Sequence, residues 1–368
     1  MSISRQLSEK RIDLNSVEVA QRALLDSVKT FAKRRGIDLS DRDILIKHEV
    51  ILKVDSSKIS PAAEDPTYRQ EDIQREEPNV EIQIGDPIQQ RDPIQQSEPV
   101  PPDAAPGGIS IAVSTAGGSG AAPAEERAWI IDTGIGPHEH LNVVAKHNFV
   151  EYESDIDENG HGTHVAGIIG AGGTYATVGI ATGAKLVSVK ILDKYGKGEW
   201  IDLLAALEFV SRQIKAREVV NISLGRHCAG LYCTASSHYY RLLRRYFRDI
   251  RDQGAFVVMS AGNEAGDASE NFPGCIDAAN VFTVSAISSV SPPVCAFYSN
   301  FGNPPVDYVA VGTNVLSTYP GNLYSVMSGT SMAAAVVSGV ILARGSAPAK
   351  TGVPMVKCVG TDYPVALK

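Results

Sequence analysis

From Gly108 onward the chain alternates continuous apolar runs of strand length with longer stretches that repeat apolar positions at helical spacing. AWIID (128–132), KLVSVKIL (185–192), VVNISL (219–224), AFVVMSA (255–261) and VFTVSAI (281–287) have the unbroken apolarity of strands buried on both faces. Between them, IDLLAALEFVSRQI (201–214) and HYYRLLRRYFRDIRDQG (238–254) read as helices. This order predicts an α/β domain with a central, mostly parallel sheet covered by helices on both faces. In open sheets of that kind, sites form beyond the carboxyl ends of the strands.

The first hundred residues follow a different pattern. Residues 16–35 place Val19, Leu24, Val28, Phe31 and Ala32 at roughly helical spacing, with basic residues in the last turn and Gly36 as a stop. A shorter apolar stretch, Ile44 to Val54, is compatible with either strand or helix. From Ser56 to about Gly107 the chain is rich in Pro, Gln, Glu and Asp, and DPIQQ occurs at 86–90 and again at 92–96. Such a segment buries too little apolar surface to offset its ordering entropy, so it reads as an extended linker. The predicted organisation is a helix-containing N-terminal extension (1–55), a Pro/Gln/acid-rich linker (56–103) and a catalytic-size domain (104–368).

Composition narrows the partners. With 368 residues, 43% hydrophobic and 21% charged, the chain is long enough for a sizeable core. A net charge of -8 without a basic stripe argues against nucleic acid or an anionic membrane as the main partner. The N-terminus has no apolar core of signal-peptide length and no later segment is apolar enough to span a bilayer, so the expectation is a cytoplasmic chain; export without a Sec signal stays open. Of the five cysteines, Cys228 and Cys233 flank a four-residue loop and are the candidate pair; the alternative is that Cys228, Cys233, Cys275, Cys295 and Cys358 are all reduced.

Three places carry candidate chemistry. Asp132 follows a buried apolar strand and precedes a Thr-Gly turn, where an acid either caps local N–H groups or orients a base. His161, in NGHGTHVAGIIGAGG, sits between Gly160 and Gly162 at the head of a small-residue helix; His164 reads as structural. HGTH lacks the i, i+4 pair and glutamate of a zinc-protease helix. Asp155, Asp157, Asn159 and Gly160 begin an EF-hand pattern, but its twelfth position is Ala166, so that reading fails. Ser331, in SGTSMAAAVVSGV, is either an ordinary residue of a helix start or a nucleophile at a dipole's positive end. Asp, His and Ser in that chain order suit one version of the hydrolytic triad, and Asn263, in VVMSAGNEAGD, supplies an amide for the oxyanion.

At this point the chain resembles the subtilisin-like serine peptidases (the subtilase family, S8), nearest to the proteinase K branch. The matching strings are IIDTGI around Asp132, NGHGTHVAG around His161, NISLG at Asn221 to Gly225, SAGNE around Asn263 and SGTSMA around Ser331. The resemblance implies the subtilisin-like three-layer α/β fold and a serine endopeptidase with Asp132, His161 and Ser331 as catalytic residues and Asn263 in the oxyanion hole. It further implies that Ser223, Leu224 and Gly225 pair with the substrate backbone, and that Ala261 and Gly262 help frame a pocket for apolar or aromatic side chains. By position residues 1–103 resemble a propeptide, an inhibitor in cis until cut; a regulatory or docking segment is the alternative. No cofactor is required by this chemistry. The family's calcium aspartate after FTVSAI has no counterpart in SSVSPPV, which leaves the acidic loop before His161 as the candidate for a weak structural calcium.

The sequence also departs from the family. Ala335 and Val336 stand where Pro-His is usual, and Arg226 followed by HCAGLYC replaces a second glycine beside the expected cleft. Two rival readings remain: a dedicated maturation peptidase with one partner substrate, and a catalytically idle fold used for binding.

Overall fold

The computed structural model describes residues 108–368 apart from 174–175, 229–231 and 289–290, together with residue 99 and the short strands Ile46–Lys47, Val50–Ile51 and Glu81–Gln83. It divides into two compact units, Met1–Tyr68 and Arg69–Lys368. In the first, Ile46–Lys47 pairs antiparallel with Val50–Ile51, so these four residues of the Ile44 to Val54 stretch are strand. The helix expected over 16–35 lies outside the described residues.

The second unit is built on a seven-stranded sheet. Its strands are β1 (Arg127–Asp132), β2 (Asn142–Asn148), β3 (Lys185–Lys190), β4 (Val219–Ile222), β5 (Phe256–Ser260), β6 (Val281–Ile287) and β7 (Val306–Val311). The order across the sheet is β7-β6-β5-β4-β1-β3-β2, every pairing parallel. Five of the seven match the apolar runs in the sequence. β2 does not, because it is an edge strand, largely half-exposed, that carries Asn142, Lys146, His147 and Asn148 in place of an unbroken apolar run.

Alternation along β1 shows how the sheet is sandwiched. Ala128 and Ile130 join the core cluster that contains helices α1 (His161–Gly170) and α4 (Thr330–Arg344). Trp129, one residue on, meets Phe209 of helix α2 (Trp200–Ser211), ring centroids 6.4 Å apart, on the opposite face. Helix α3 (His238–Asp252) packs on α2 and buries Tyr239, Leu243, Phe247 and Ile250 at helical spacing; the Ser237 hydroxyl caps it by accepting from the Tyr240 N–H. The two buried helices have another composition: all of α1 and nearly all of α4 is buried, and their Gly and Ala residues let backbone approach backbone.

A hairpin, β8 (Val315–Tyr319) and β9 (Leu323–Met327), packs against α1. Near the end of the sequence Met355–Cys358 pairs antiparallel with Thr361–Pro364. Disulfides Cys233–Cys275 and Cys295–Cys358 correct the candidate Cys228–Cys233 pair and the all-reduced alternative. The reason is tertiary: Arg226–His227 pairs with Asn271–Phe272, which brings the 233 loop beside Cys275, and Cys228 is left as a buried thiol. Among the described residues no helix is long and apolar enough to cross a membrane.

Candidate active site

Asp132 is the last residue of β1, fully buried, and the parallel register sets it opposite Lys190 of β3. Its Oδ1 accepts from the Thr133 N–H at 2.7 Å and lies 2.8 Å from His161 Nδ1. The turn behind it is held by Lys190, itself fully buried, whose Nζ donates to the carbonyls of Thr133 and Leu192, both at 2.9 Å, and pairs with Glu153 at 3.1 Å. Those three acceptors match the three N–H donors of the buried ammonium group.

His161 opens α1. Burial by itself pulls an imidazole down, but the Asp132 carboxylate, through charge and hydrogen bond, and Asp157 by charge, outweigh it and hold the pKa above 6.5. The same contact fixes the tautomer, with the proton on Nδ1 and the lone pair on Nε2. Gly160 and Gly162 on either side of His161 are required by the packing around them. Gly160 has φ +101° and a Cβ there would fall 2.1 Å from the Tyr319 ring, while one on Gly162 would fall 2.1 Å from the Gly134 carbonyl oxygen. Both are close-approach positions that seat the helix against its neighbours.

Asp157, in the acidic loop before His161, is buried. Its Oδ1 accepts from Thr133 Oγ1 (2.9 Å) and from the N–H groups of Asn159 (3.0 Å) and Gly160 (2.8 Å); its Oδ2 accepts from the Thr163 N–H (2.9 Å) and Thr163 Oγ1 (2.5 Å). Five donors saturate this buried carboxylate, so it works as a helix-end anion and does not suit a calcium ligand. Among the described residues no group of three or more His, Cys, Asp or Glu is arranged to hold a metal ion.

His164, one turn beyond, is fully buried with Nε2 3.0 Å from the Val315 carbonyl and 3.1 Å from that of Ser325. Burial first, and then the charge of His161, push its pKa down to about 3, so it is a neutral donor tying α1 to the hairpin. The structural role expected for it is what the contacts describe.

Ser331 is the second residue of α4 and buried. Its Oγ donates to the Ser223 carbonyl at 3.2 Å, and Ser223 Oγ returns a bond to the Ser331 carbonyl at 3.0 Å. Behind them, Asn221 Nδ2 donates to Ser223 Oγ at 2.8 Å and Ser338 Oγ donates to Asn221 Oδ1 at 2.9 Å. This buried chain ties β4 to α4. Asn263 accepts through Oδ1 from the Thr330 N–H (2.9 Å) and Thr330 Oγ1 (3.0 Å), which leaves its Nδ2 donors beside the start of the helix. Thr330 Oγ1 in turn accepts from the Gly262 N–H at 3.1 Å. The Ser331 N–H makes no hydrogen bond among the described residues. The start of α4 thus gathers Ser223, Asn263, Gly262 and Ser331; Leu224, Gly225 and Ala261 are buried in the adjoining strand ends. Val336 and Ala335 lie buried in an unbroken helix.

One strand was missed in the sequence. Glu81–Gln83, inside the segment read as linker, forms a strand antiparallel to Lys197–Glu199, with Lys197 opposite Gln83 and Glu199 opposite Glu81. The available signal was the alternation VEIQI at 80–84. Its partner lies close to the histidine loop, since Asn159 Nδ2 donates to the Lys194 carbonyl at 3.1 Å.

An all-parallel α/β sheet with an Asp–His pair at one strand end and a serine at the start of a buried helix is an arrangement suited to a serine hydrolase. More specifically, the model of the subtilase family matches residues 129–350, and the chain belongs to that family: it is a subtilisin-like serine peptidase. It is 36% identical over 243 residues to proteinase T of Parengyodontium album, covering 64% of this chain and 74% of that one. It is 35% identical over 230 residues to the minor extracellular protease Epr of Bacillus subtilis (strain 168), covering 61% of this chain and 33% of that one. A crystal structure of a cold adapted subtilisin-like serine proteinase superposes with a TM-score of 0.52 at 28% identity, over 60% of this chain and 76% of that one.

Proposed function

We propose that the chain is a serine endopeptidase in which Ser331 is the nucleophile, His161 the general base and acid, Asp132 the residue that orients it, and Asn263 an oxyanion donor. The observation that carries this is the 2.8 Å contact from Asp132 Oδ1 to His161 Nδ1, made by a fully buried carboxylate at a strand end. Ser331 Oγ attacks the scissile carbonyl carbon as His161 Nε2 takes its proton. The oxygen that becomes negative is met by Asn263 Nδ2 and the open Ser331 N–H, at the positive end of α4. Collapse passes the proton to the departing amine, and water repeats the sequence on the acyl-enzyme. Because the neutral imidazole is the working form and Asp132 raises its pKa, activity rises with pH through a value above 6.5.

The substrate is polypeptide. Ser223, Leu224 and Gly225 on one side and Ala261 and Gly262 on the other are small or apolar, which favours apolar or aromatic side chains before the scissile bond. The chain's own N-terminal segment is the occupant in cis. What supports this is the Glu81–Gln83 strand, added by backbone pairing to an edge beside the histidine loop, the same mode by which a substrate strand would be bound. Intact-mass analysis of wild type and Ser331→Ala, each with and without a fluorophosphonate, tests the reading. One adduct on wild type and none on the variant is expected, with turnover of the variant down by about 10⁶. An unlabelled wild type would favour the idle fold, and a labelled enzyme that spares casein would favour the maturation peptidase.

A further inference from the structure

The turn that carries Asn263, Ala261-Gly262-Asn263-Glu264-Ala265-Gly266, has little in its own sequence to hold it still. Gly262 and Ala265 both adopt left-handed backbone, at φ +100° and +54°. A donor aimed at a developing oxyanion has to be held within about 0.5 Å of its target. In this protein the restraint comes from Asn300, on a distant segment and fully buried.

Every hydrogen-bonding group of Asn300 is committed. Its N–H donates to the Gly262 carbonyl at 3.0 Å, and Nδ2 donates to the Ala261 carbonyl at 3.0 Å and to Glu264 Oε2 at 2.5 Å. Its Oδ1 accepts from the N–H groups of Glu264 at 3.0 Å and Gly266 at 2.9 Å. The two carboxamide donors and two acceptor positions are all used, in the one orientation that matches donors to acceptors. Its carbonyl accepts from the buried Ser285 Oγ of β6 at 2.5 Å, which fastens the segment to the sheet. A Cβ at Gly262 would lie 2.3 Å from Asn300 Nδ2, so the amide rests directly on the turn. The bonds fall on residues 261, 262, 264 and 266 and pass over Asn263, whose Oδ1 is held by Thr330 while its Nδ2 is left for another acceptor.

We infer that Asn300 is a positioning residue for catalysis: it sets the Asn263 amide at the oxyanion position through the turn and touches no substrate itself. The inference rests on the oxyanion role of Asn263. Asn300→Asp keeps the shape and both acceptances but removes two donors and sets a carboxylate against Glu264 and the Ala261 carbonyl, whereas Asn300→Asp with Glu264→Gln exchanges donor and acceptor and restores the bond to residue 264 alone.

A double-mutant cycle on the full chain, reading kcat and KM with a soluble chromogenic peptide, tests it. Asn300→Asp is expected to lower kcat at least about tenfold with KM within about twofold, to lose less than about threefold when Asn263 is already alanine, and to recover when Glu264→Gln is added. An unchanged kcat, or the same loss in both backgrounds, overturns the inference and leaves Asn300 a structural residue. If Asn263→Ala alone leaves kcat intact, the oxyanion reading fails instead, and the inference with it. Should Asn300→Asp not fold, Glu264→Ala at an exposed position takes its place: an about threefold kcat loss that vanishes without Asn263 supports the inference, and an additive or absent loss overturns it.

Discussion

Helices α1 and α4 start in similar ways and are finished differently. Both follow a glycine that gives no side-chain cap, both are buried, and both carry a candidate site residue in the first turn, at the positive end of the dipole. At α1 the first three N–H groups are satisfied from within: His161 by Asn159 Oδ1 at 3.2 Å, Gly162 by Thr133 Oγ1 at 2.9 Å and Thr163 by Asp157. At α4 Thr330 is satisfied by Asn263 but the Ser331 N–H is open. The closed end has a resident anion in Asp157. The open end is suited to a transient one, and an N–H left unpaired there costs stability in the resting enzyme but is available when charge develops.

Four substitutions break or sharpen that contrast. The largest effect is expected from Asp132→Asn, which removes the charge that orients and raises His161: kcat falls by about 10⁴, and the residual acid limb moves to lower pH because the raising partner is gone. A pH profile of kcat/KM checks both. Next, Asn263→Ala withdraws a donor from the open end; the loss of about 10²–10³ in kcat with KM nearly unchanged is a magnitude carried over from the oxyanion asparagine of subtilisin.

Asp157→Asn acts on the closed end and should reverse the pattern. Stability falls by about 2–3 kcal/mol, while kcat changes by less than about tenfold. Urea unfolding in a Ser331→Ala background, which prevents self-digestion, measures the first. A kcat loss matching that of Asn263→Ala would erase the distinction between the two ends. The smallest effect is at His164. Between pH 6.5 and about 3 the unfolded chain binds a proton there that the folded chain rejects, so this contribution to stability is full above 6.5 and lost as pH falls through the window. His164→Gln should cost about 1–2 kcal/mol at neutral pH and flatten the pH dependence of the urea midpoint in that window.

Local pattern determined the elements that carry the site. β1, β3, β4, β5 and β6 are buried on both faces, so their apolarity is continuous and legible, and Asp132, His161, Asn263 and Ser331 stand at element ends in the strings that mark the family. Edge strand β2 escaped because an edge is half wet and carries polar residues, and the Glu81–Gln83 strand escaped because three residues in a polar, proline-rich stretch acquire strand geometry only from the edge they pair with. The cysteines show the same limit. Spacing offered Cys228 with Cys233, but pairing of Arg226–His227 with Asn271–Phe272 placed Cys275 within a Cα distance of 5.9 Å of Cys233. Asn300 was decided by tertiary structure alone: what it does depends on donors and acceptors that lie up to 39 residues away in the chain, whereas Asp157 takes only its Thr133 bond from a distant segment and the rest from Asn159, Gly160 and Thr163. An element's period is written in neighbouring residues, whereas the satisfaction of a buried polar group is a property of what the fold brings beside it.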